Sequence, residues 1–329
     1  MVMNIQEISW NYNTISDQNN YLLGQHIQAT GDLPQKVYSW GSDYRLTDFN
    51  PNAWYLSKKD VNFDLSYVPT NGLMAYYALS KPGVTTVNAG VKSILPRTNL
   101  AQGDTFNMRY NLSDGTNRHA YDMTSNYISR LAMNLNFASV DKYLFESIRG
   151  MAKGFGSSAY QGDIAATHPD GVTDANRTPY AVNENTIFTW DGDSLLGSVS
   201  DFAYYCDIAT SVSRLDNNAF PSYIRTANRQ HVFGFTVKRD SSASVLAMFE
   251  DYVGQNITGK DLRLKIYAGD TYYRDVTLSD SLINVSLPRA DINKQQEGDY
   301  KVVGIAKSYT WDEYDQVTPS AGGFYGVNP

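Results

Sequence analysis

The side chains that could do chemistry are few, and their spacing suits none of the common reactions. The histidines are His26, His119, His168 and His231. No two of them stand at the i, i+4 spacing that sets two imidazoles on one helix face around a metal. His168 precedes a proline and His231 precedes an alternating apolar run, neither of which offers a general base to a cleft. No Gly-x-Ser-x-Gly elbow is present to expose a serine nucleophile. The cluster Gly150-Met151-Ala152-Lys153-Gly154-Phe155-Gly156 places its glycines and lysine in the wrong order for a phosphate-cradling loop, so it reads as a strand end. Asp191, Asp193, Asp299, Asp312, Glu313 and Asp315 lack the ligand ladder of a calcium loop and read as a solvated acidic face. The single cysteine, Cys206, lies in the strand-like Tyr204–Ile208 and reads as a small buried hydrophobe. Sequons at Asn111, Asn176, Asn256 and Asn284 matter only in a secreted eukaryotic chain. The expectation is a protein that is not an enzyme and has no metal and no cofactor.

Charge narrows the partners. Lys plus Arg total 27 against 34 Asp plus Glu, a net charge of −7, so no cationic surface is supplied for gripping nucleic-acid phosphates. The imbalance sits late in the chain: residues 1–180 carry 15 acidic and 14 basic groups, residues 181–329 carry 19 and 13. Near the start, Glu7 interrupts residues 1–10, and no apolar run reaches signal-peptide or membrane-spanning length, which predicts a chain made and kept in the cytosol unless released by lysis. With 25 Tyr and only 19% charged residues, strands and aromatic contact surfaces are favoured over helical bundles.

The elements that would position these groups are mostly strands. Apolar residues alternate with polar ones at Val61-Phe63-Leu65-Tyr67, Leu131-Met133-Leu135-Phe137, Phe233-Phe235-Val237, Leu262-Leu264-Ile266 and Ile283-Val285-Leu287. This period of two marks half-buried strands. Two segments have helical spacing: residues 70–81, capped by Thr70 or Asn71 and stopped by Pro82-Gly83, and residues 242–253, closed by Gly254. Each is too short to be stable alone and must lie on a sheet.

The two helices hold the same place in two similar strings. Val61–Tyr67 with its helix matches Val232–Val237 with its own; Phe106, Met108 and Tyr110 match Leu262, Leu264 and Ile266; Ser125–Met133 matches Ser279–Leu287; Tyr143–Phe155 matches Tyr300–Trp311. Strand, helix, strand, strand, strand occurs twice, which predicts an internal duplication. The expected organisation is an N-terminal arm over 1–20, a first β domain over 21–155, a linker over 156–185, a second β domain over 186–318 and a tail over 319–329. Ahead of each helix lies an irregular stretch rich in rings: residues 39–57 with Trp40, Tyr44, Phe49, Trp54 and Tyr55, and residues 214–229 with Phe220 and Tyr223. Rings gathered in loops usually meet a partner surface.

The segment Phe63-Asp64-Leu65-Ser66-Tyr67-Val68-Pro69-Thr70-Asn71-Gly72-Leu73-Met74-Ala75-Tyr76-Tyr77-Ala78-Leu79, together with Ile283–Arg289 followed by residues 298–307, resembles the major tail tube proteins of long-tailed (siphovirus- or myovirus-like) phages and archaeal tailed viruses. The resemblance spans roughly 60–155 and 186–318 and lies in element order, since the family has no catalytic motif to match. It implies a mainly β fold: two tandem antiparallel β-sandwich or barrel tail-tube domains, each with one short flanking helix. It further implies a virion structural protein whose rings, homohexameric or trimeric and pseudo-hexameric, stack by helical assembly into a tube that conducts DNA during ejection. Its partners would then be itself, the tape-measure and tail terminator proteins, and genomic DNA passing without specific binding. The resemblance implies no membrane partner, and a site of action in the virion tail, assembled in the host cytoplasm.

Under that reading Trp40, Tyr44, Phe49, Trp54, Phe220 and Tyr223 are candidates for contacts between stacked rings, with the N-terminal arm as another. Polar positions of the half-buried strands are candidates for the channel wall: Asp64, Asn134 and Asn136 in the first copy, Asn284, Ser286 and Arg289 in the second. Acidic and neutral polar groups should outnumber basic ones there, because a cationic wall would hold phosphates. The alternative reading is a two-domain β-sandwich carbohydrate-binding or adhesin module, in which the aromatic loops stack on sugar rings.

Overall fold

The computed structural model describes residues 4–11, 21–22, 25–29, 35–41, 53–96, 105–113, 118–140, 142–158, 178–213, 220–238, 243–253, 259–286 and 299–315, with side chains from Val61 onward except at 81–84, 113, 118, 226–227, 243 and 250–253. The described residues are mainly β, and their antiparallel sheet forms a half-barrel. In the first half the elements are β1 (Asn4–Asn11), β2 (Tyr21–Leu22), β3 (Gln25–Ala29), β4 (Gln35–Gly41), β5 (Ala53–Asp60), β6 (Asn62–Val68), α1 (Leu73–Leu79), β7 (Ser80–Asn88), β8 (Val91–Pro96), β9 (Phe106–Ser113), β10 (Arg118–Asn136) and β11 (Phe145–Ser158). In the second they are β12 (Ile187–Trp190), β13 (Asp193–Ser194), β14 (Val199–Ser213), β15 (Tyr223–Val237), α2 (Ala243–Val253), β16 (Lys260–Ala268), β17 (Tyr272–Ser286) and β18 (Tyr300–Tyr314).

Alternation produces these strands. In β16, Leu262, Leu264 and Ile266 are buried while Asp261 and Arg263 face out; the pleat sends successive side chains to opposite sides, so this spacing buries one face alone. Helix α1 is Leu-Met-Ala-Tyr-Tyr-Ala-Leu and is buried on every side. It starts where Asn71 Oδ1 accepts the Leu73 N–H at 3.1 Å and ends two residues before the expected Lys81. Pro82 disfavours helical geometry at the residue before it, and the chain turns extended at Ser80 to begin β7. The carbonyl of Leu79, left over at the helix end, accepts from Arg229 Nη1 at 2.6 Å and Tyr309 Oη at 3.0 Å, the satisfaction that a buried helix terminus requires.

Instead of two separate sheets, the main strands form one sheet of 16 strands, beside a two-stranded sheet of β4 and β5. Within it the pairing order occurs twice. The path β2-β1-β9-β10-β11-β6-β3 is matched by β13-β12-β16-β17-β18-β15-β14. The two runs meet where β14 pairs with β10, Asp201–Asp207 against Arg130–Asn136. Phe63 stands opposite Gly150, and Phe233 opposite Gly304. Each glycine leaves room for the ring, since a Cβ would lie 2.3 Å from Phe63 Cζ in one case and 2.1 Å from Phe233 Cζ in the other. Ser125 (φ 52°) and Asp280 (φ 54°) take the same left-handed conformation at the same place in β10 and β17, and each long strand changes its buried phase there, as an extra residue in a ladder demands. The following side chain reaches back three residues in both: Asn126 Nδ2 to the Met123 carbonyl and Ser281 Oγ to that of Leu278, each 2.9 Å.

The structure corrects several sequence expectations. Residues 4–11 of the expected arm form β1, paired with β9. The aromatic stretch 39–57 is not irregular where it is described: β4 and β5 pair, with Trp40 opposite Trp54, whereas Tyr44 and Phe49 lie outside the described residues. Strand β15 already begins at Tyr223. Strand β11 runs on to Ser158, and at the far end of the expected linker Tyr180 is buried and Ala181 bridges Tyr143 and Tyr267; residues 159–177 lie outside the description, as does the tail over 319–329. The first long-strand match slips by two: Met108 and Leu262 hold equivalent registers, opposite Met123 and Leu278.

Candidate functional site

Two features of the sheet bear on function, its bare face and the seam beneath it. Cross-strand register assigns the bare face residue by residue. Asp64 lies opposite Arg149, Arg149 opposite Arg130, and Arg130 opposite Asp207. Along β10 the same side carries Asn134 and Asn136, which stand opposite Ala203 and Asp201. Continuing through β15 and β18, it reaches Val303 opposite Asn284 and Lys301 opposite Ser286. Asp64, Asn134, Asn136, Asn284 and Ser286, chosen from sequence as wall candidates, therefore share one face of the continuous sheet; Arg289 lies outside the described residues. The opposite face holds the core, Leu131, Met133, Cys206, Phe235 and Val302 among it.

Around β6, β10, β11 and β14 the chemistry of this face is polar and close to charge-balanced rather than acidic, while on β18 it carries the exposed Val303 and Ile305. Arg149 donates to Asp64 Oδ2 from Nε at 2.9 Å and Nη2 at 2.6 Å, and Arg130 lies 3.5 Å from Asp207 and over the Tyr205 ring. Asp201 accepts from Thr236 Oγ1 at 3.1 Å. Asn136 Oδ1 accepts the N–H groups of Ala138 and Ser139 at 2.9 and 3.0 Å, so it also turns the chain out of β10. Of the ring candidates with described side chains, Phe220 packs against the core and Tyr223 is half exposed.

Below the sheet, where the halves meet, lies a cluster that the sequence reading missed. Arg274 on β17 is fully buried and donates from Nη1 to Glu146 Oε2 at 2.7 Å, from Nε to Glu313 Oε1 at 2.5 Å and from Nη2 to the Asn71 carbonyl at 3.0 Å. Glu146 also accepts from the Tyr67 hydroxyl. Glu313 accepts from Tyr180 Oη at 2.8 Å and Trp311 Nε1 at 2.7 Å. Beside them the buried Lys92 pairs with Asp315, whose Oδ2 accepts the Gly72 N–H at 3.2 Å ahead of α1. The reading of Glu313 and Asp315 as a solvated acidic face is thus overturned, although Asp299 of that group is exposed.

Energetics explain why the cluster is so completely bonded, because a buried charge is tolerated only when paired and hydrogen-bonded. Burial alone would lower the Arg274 pKa, but Glu313 and Glu146 outweigh it and hold the guanidinium firmly charged. Burial pushes the Glu313 carboxyl up to about 7; Arg274 opposes the rise and Asp315 adds to it. The signal was present in the alternation. Leu144, Glu146 and Ile148 occupy one buried phase, as do Tyr309, Trp311 and Glu313, so a charge in an apolar phase marks a buried partner.

His231, on the core side of β15, accepts or donates at Nδ1 with Tyr204 Oη at 2.9 Å. Burial, then the nearby Arg229, lowers its pKa to about 4, so it is neutral in the fold. Among the described residues no group of three His, Cys, Asp or Glu is placed to hold a metal ion, and no helix is long and apolar enough to cross a membrane. No family model matches the chain, and no curated protein does.

Proposed function

We propose that this chain is a structural protein that assembles with copies of itself into rings, that the rings stack into a tube, and that the tube is the DNA-conducting tail of a tailed virus. In this reading the two runs of strands are tandem, duplicated tail-tube units, so that three chains make a pseudo-sixfold ring. The observation that supports it most is the repeated pairing order within one sheet, its two runs joined edge to edge at β10–β14 and sharing one face. A ring that repeats this step around an axis would carry that face around a channel. Its paired arginines and neutral amides would give DNA phosphates little net charge to adhere to, since adhesion depends on cations that release counterions. Trp40, Tyr44, Phe49, Trp54, Phe220 and Tyr223 are proposed as contacts between stacked rings.

Electron microscopy of the purified chain tests the proposal directly. Hollow tubes or rings with sixfold-like symmetry are expected. Dispersed monomers that bind glycans on an array would replace it with the carbohydrate-binding alternative.

A further inference from the structure

The repeated strand order gives each part of the first half a counterpart in the second, including the parts that join the halves. Strand β14 pairs with β15 through a register shift between Val199 and Asp201 and another between Ile208 and Thr210. In the first half, β3 pairs with β6 through a shift between Gln25 and Gln28, and β4 with β5 through a shift between Val37 and Tyr38. Thus β3 with β4 answers to β14, and β5 with β6 answers to β15. The resemblance stops at one point. The β14–β15 arm is docked on β10 of the other half, whereas β4 and β5 form a sheet of their own, hydrogen-bonded to no strand of the main sheet among the described residues.

The receiving side shows the same asymmetry. On β10 and β11, Tyr127 stands opposite Met151, and Lys153 Nζ lies 5.4 Å from the Tyr127 ring and 5.9 Å from the ring of Tyr223 on the arm. Tyr127 is 3% exposed. Counting from the Phe–Gly pairs and the left-handed residues, its counterpart is Leu282, opposite Ile305, with Val303 next along β18 and Lys307 in the place of Lys153. Here the side chains are aliphatic and open: Leu282 is 52%, Val303 52% and Ile305 51% exposed, around an open depression of about 670 Å³. Adjacent large aliphatic groups in water are a surface awaiting a partner.

We infer that the strip formed by Leu282, Val303 and Ile305 receives the β3–β5 arm of a second copy of this chain, in the manner in which β10 and β11 receive the β14–β15 arm within one copy. Among the described residues no strand pairing joins β3, β4 or β5 to β17 or β18 of the same chain, so the contact is assigned to a second copy; donor and acceptor are different surfaces, and the contact runs head to tail, closing as a ring where the rotation permits. The inference deepens the proposed assembly but rests on the repeated strand order, not on stacking or on DNA.

Two complementary variants of the full chain test it. Leu282→Asp with Ile305→Asp removes the acceptor; Tyr38→Asp with Leu56→Asp, at positions opposite each other in β4–β5, removes the donor. By light scattering, each variant alone should need about 30-fold or more concentration to assemble, the loss typical of interface anchors, while Val87→Asp on β7 assembles as the native chain does. Mixed in equal amounts, the two variants should form dimers and stop there, because each retains one intact surface; this also shows that both are folded. The inference is overturned if the native chain stays monomeric, if the acceptor variant assembles normally, or if the mixture stays monomeric. Tubes that persist in the acceptor variant would remove the joint and leave the tube, whereas oligomers that need Ile305 but never stack would leave the joint and remove the tube.

Discussion

The ends of the β6–β11 pair and of its counterpart, β15–β18, are built on one ladder and finished with opposite chemistry. Both carry the phenylalanine opposite glycine, and both bury the next pair, Leu65 with Ile148 and Phe235 with Val302. One step further they diverge. The first ends in Tyr67 opposite Glu146, tied to Arg274 and Glu313; the second ends in Val237 opposite Tyr300, whose ring packs edge-on against Phe249 at 4.5 Å. The charged end lies where the two halves meet and the apolar end does not. A shared fold therefore fixes the pleat and the glycine, while the groups at the end of the ladder respond to what covers them. Buried charges held by several directional bonds tie β17 and β18 to β6 and β11 in one arrangement, which an apolar contact would define less sharply.

The largest effect should come from breaking the charged end. Arg274→Met leaves Glu146 and Glu313 buried without their cation, and loss of one partner of a buried pair costs about 3–5 kcal/mol. Urea unfolding should show it. Adding Glu146→Gln and Glu313→Gln to that variant should return much of the loss, because the remaining groups are then neutral. A single variant that unfolds with the native midpoint would mean that the cluster does not hold the seam.

Next in size, the shared ladder should respond alike in both halves. Gly150→Ala would put a Cβ 2.0 Å from the Tyr127 carbonyl oxygen as well as against Phe63, whereas Gly304→Ala meets the Phe233 ring. Overpacking of this kind costs about 1–3 kcal/mol, with the larger loss at Gly150 because a backbone oxygen yields less than a ring. Phe233→Leu should relieve Gly304→Ala, and Phe63→Leu should leave most of the Gly150→Ala loss in place. Equal rescue in the two halves would show that the carbonyl contact is not what distinguishes them.

How much of this was legible depended on whether the information was local. The strands around Val61–Tyr67, Leu131–Phe137 and Leu262–Ile266 and the helix at Ala243–Val253 follow from side-chain period, whereas the first helix, at Leu73–Leu79, is shorter at both ends than its spacing over 70–81. The pairing of β10 with β14 is not in any local pattern, since antiparallel strands distant in sequence pair through edges that alternation does not distinguish. The slip of two in matching β9 to β16 has a similar origin: with a period of two, a shift by two keeps every apolar residue on its face. Glu313 reads from the sequence as one of a group of solvated acids, and Glu146 and Arg274 stand out in no motif, although the phase of the neighbouring apolar residues places all three inside. The five wall candidates fell on one face because the polar phase of a half-buried strand has only one side to occupy, but the charge balance of that face needed the register that sets Arg149 against Asp64 and Arg130 against Asp207.

A pH series separates the seam from the core of the second half. His231 is depressed from its ordinary 6.5 to about 4, so the unfolded chain takes the proton first and stability is lost as pH falls from about 6.5 towards 4. Glu313 is raised from 4.5 to about 7, so the folded chain keeps its proton longer and stability is lost as pH rises from about 4.5 to 7. The two oppose each other across one window. Relative to the native chain, His231→Gln should gain stability on the acid side of the window, and Glu313→Gln should gain it on the neutral side. Urea midpoints measured from pH 4.5 to 7.5 that shift by the same amount at every pH in either variant would remove that group from the linkage.

The smallest expected effect lies on the bare face, and it marks the boundary of the comparison. Arg149 donates twice to one carboxylate oxygen of Asp64, at 2.6 and 2.9 Å. Yet the Arg149 side chain is 59% exposed and that of Asp64 33%, so water screens the attraction and ordering the arginine offsets part of the remainder. Such pairs contribute about 0.2–1 kcal/mol. Arg149→Ala should therefore lower stability by less than about 1 kcal/mol, and added salt should shrink the difference between variant and native chain. The Arg274→Met difference should resist salt, because its partners are shielded from solvent. A double-mutant cycle of Arg149→Ala with Asp64→Ala, run at low and high salt, reads the coupling directly. Coupling as large as that at Arg274, or indifferent to salt, would mean that something covers this face in solution.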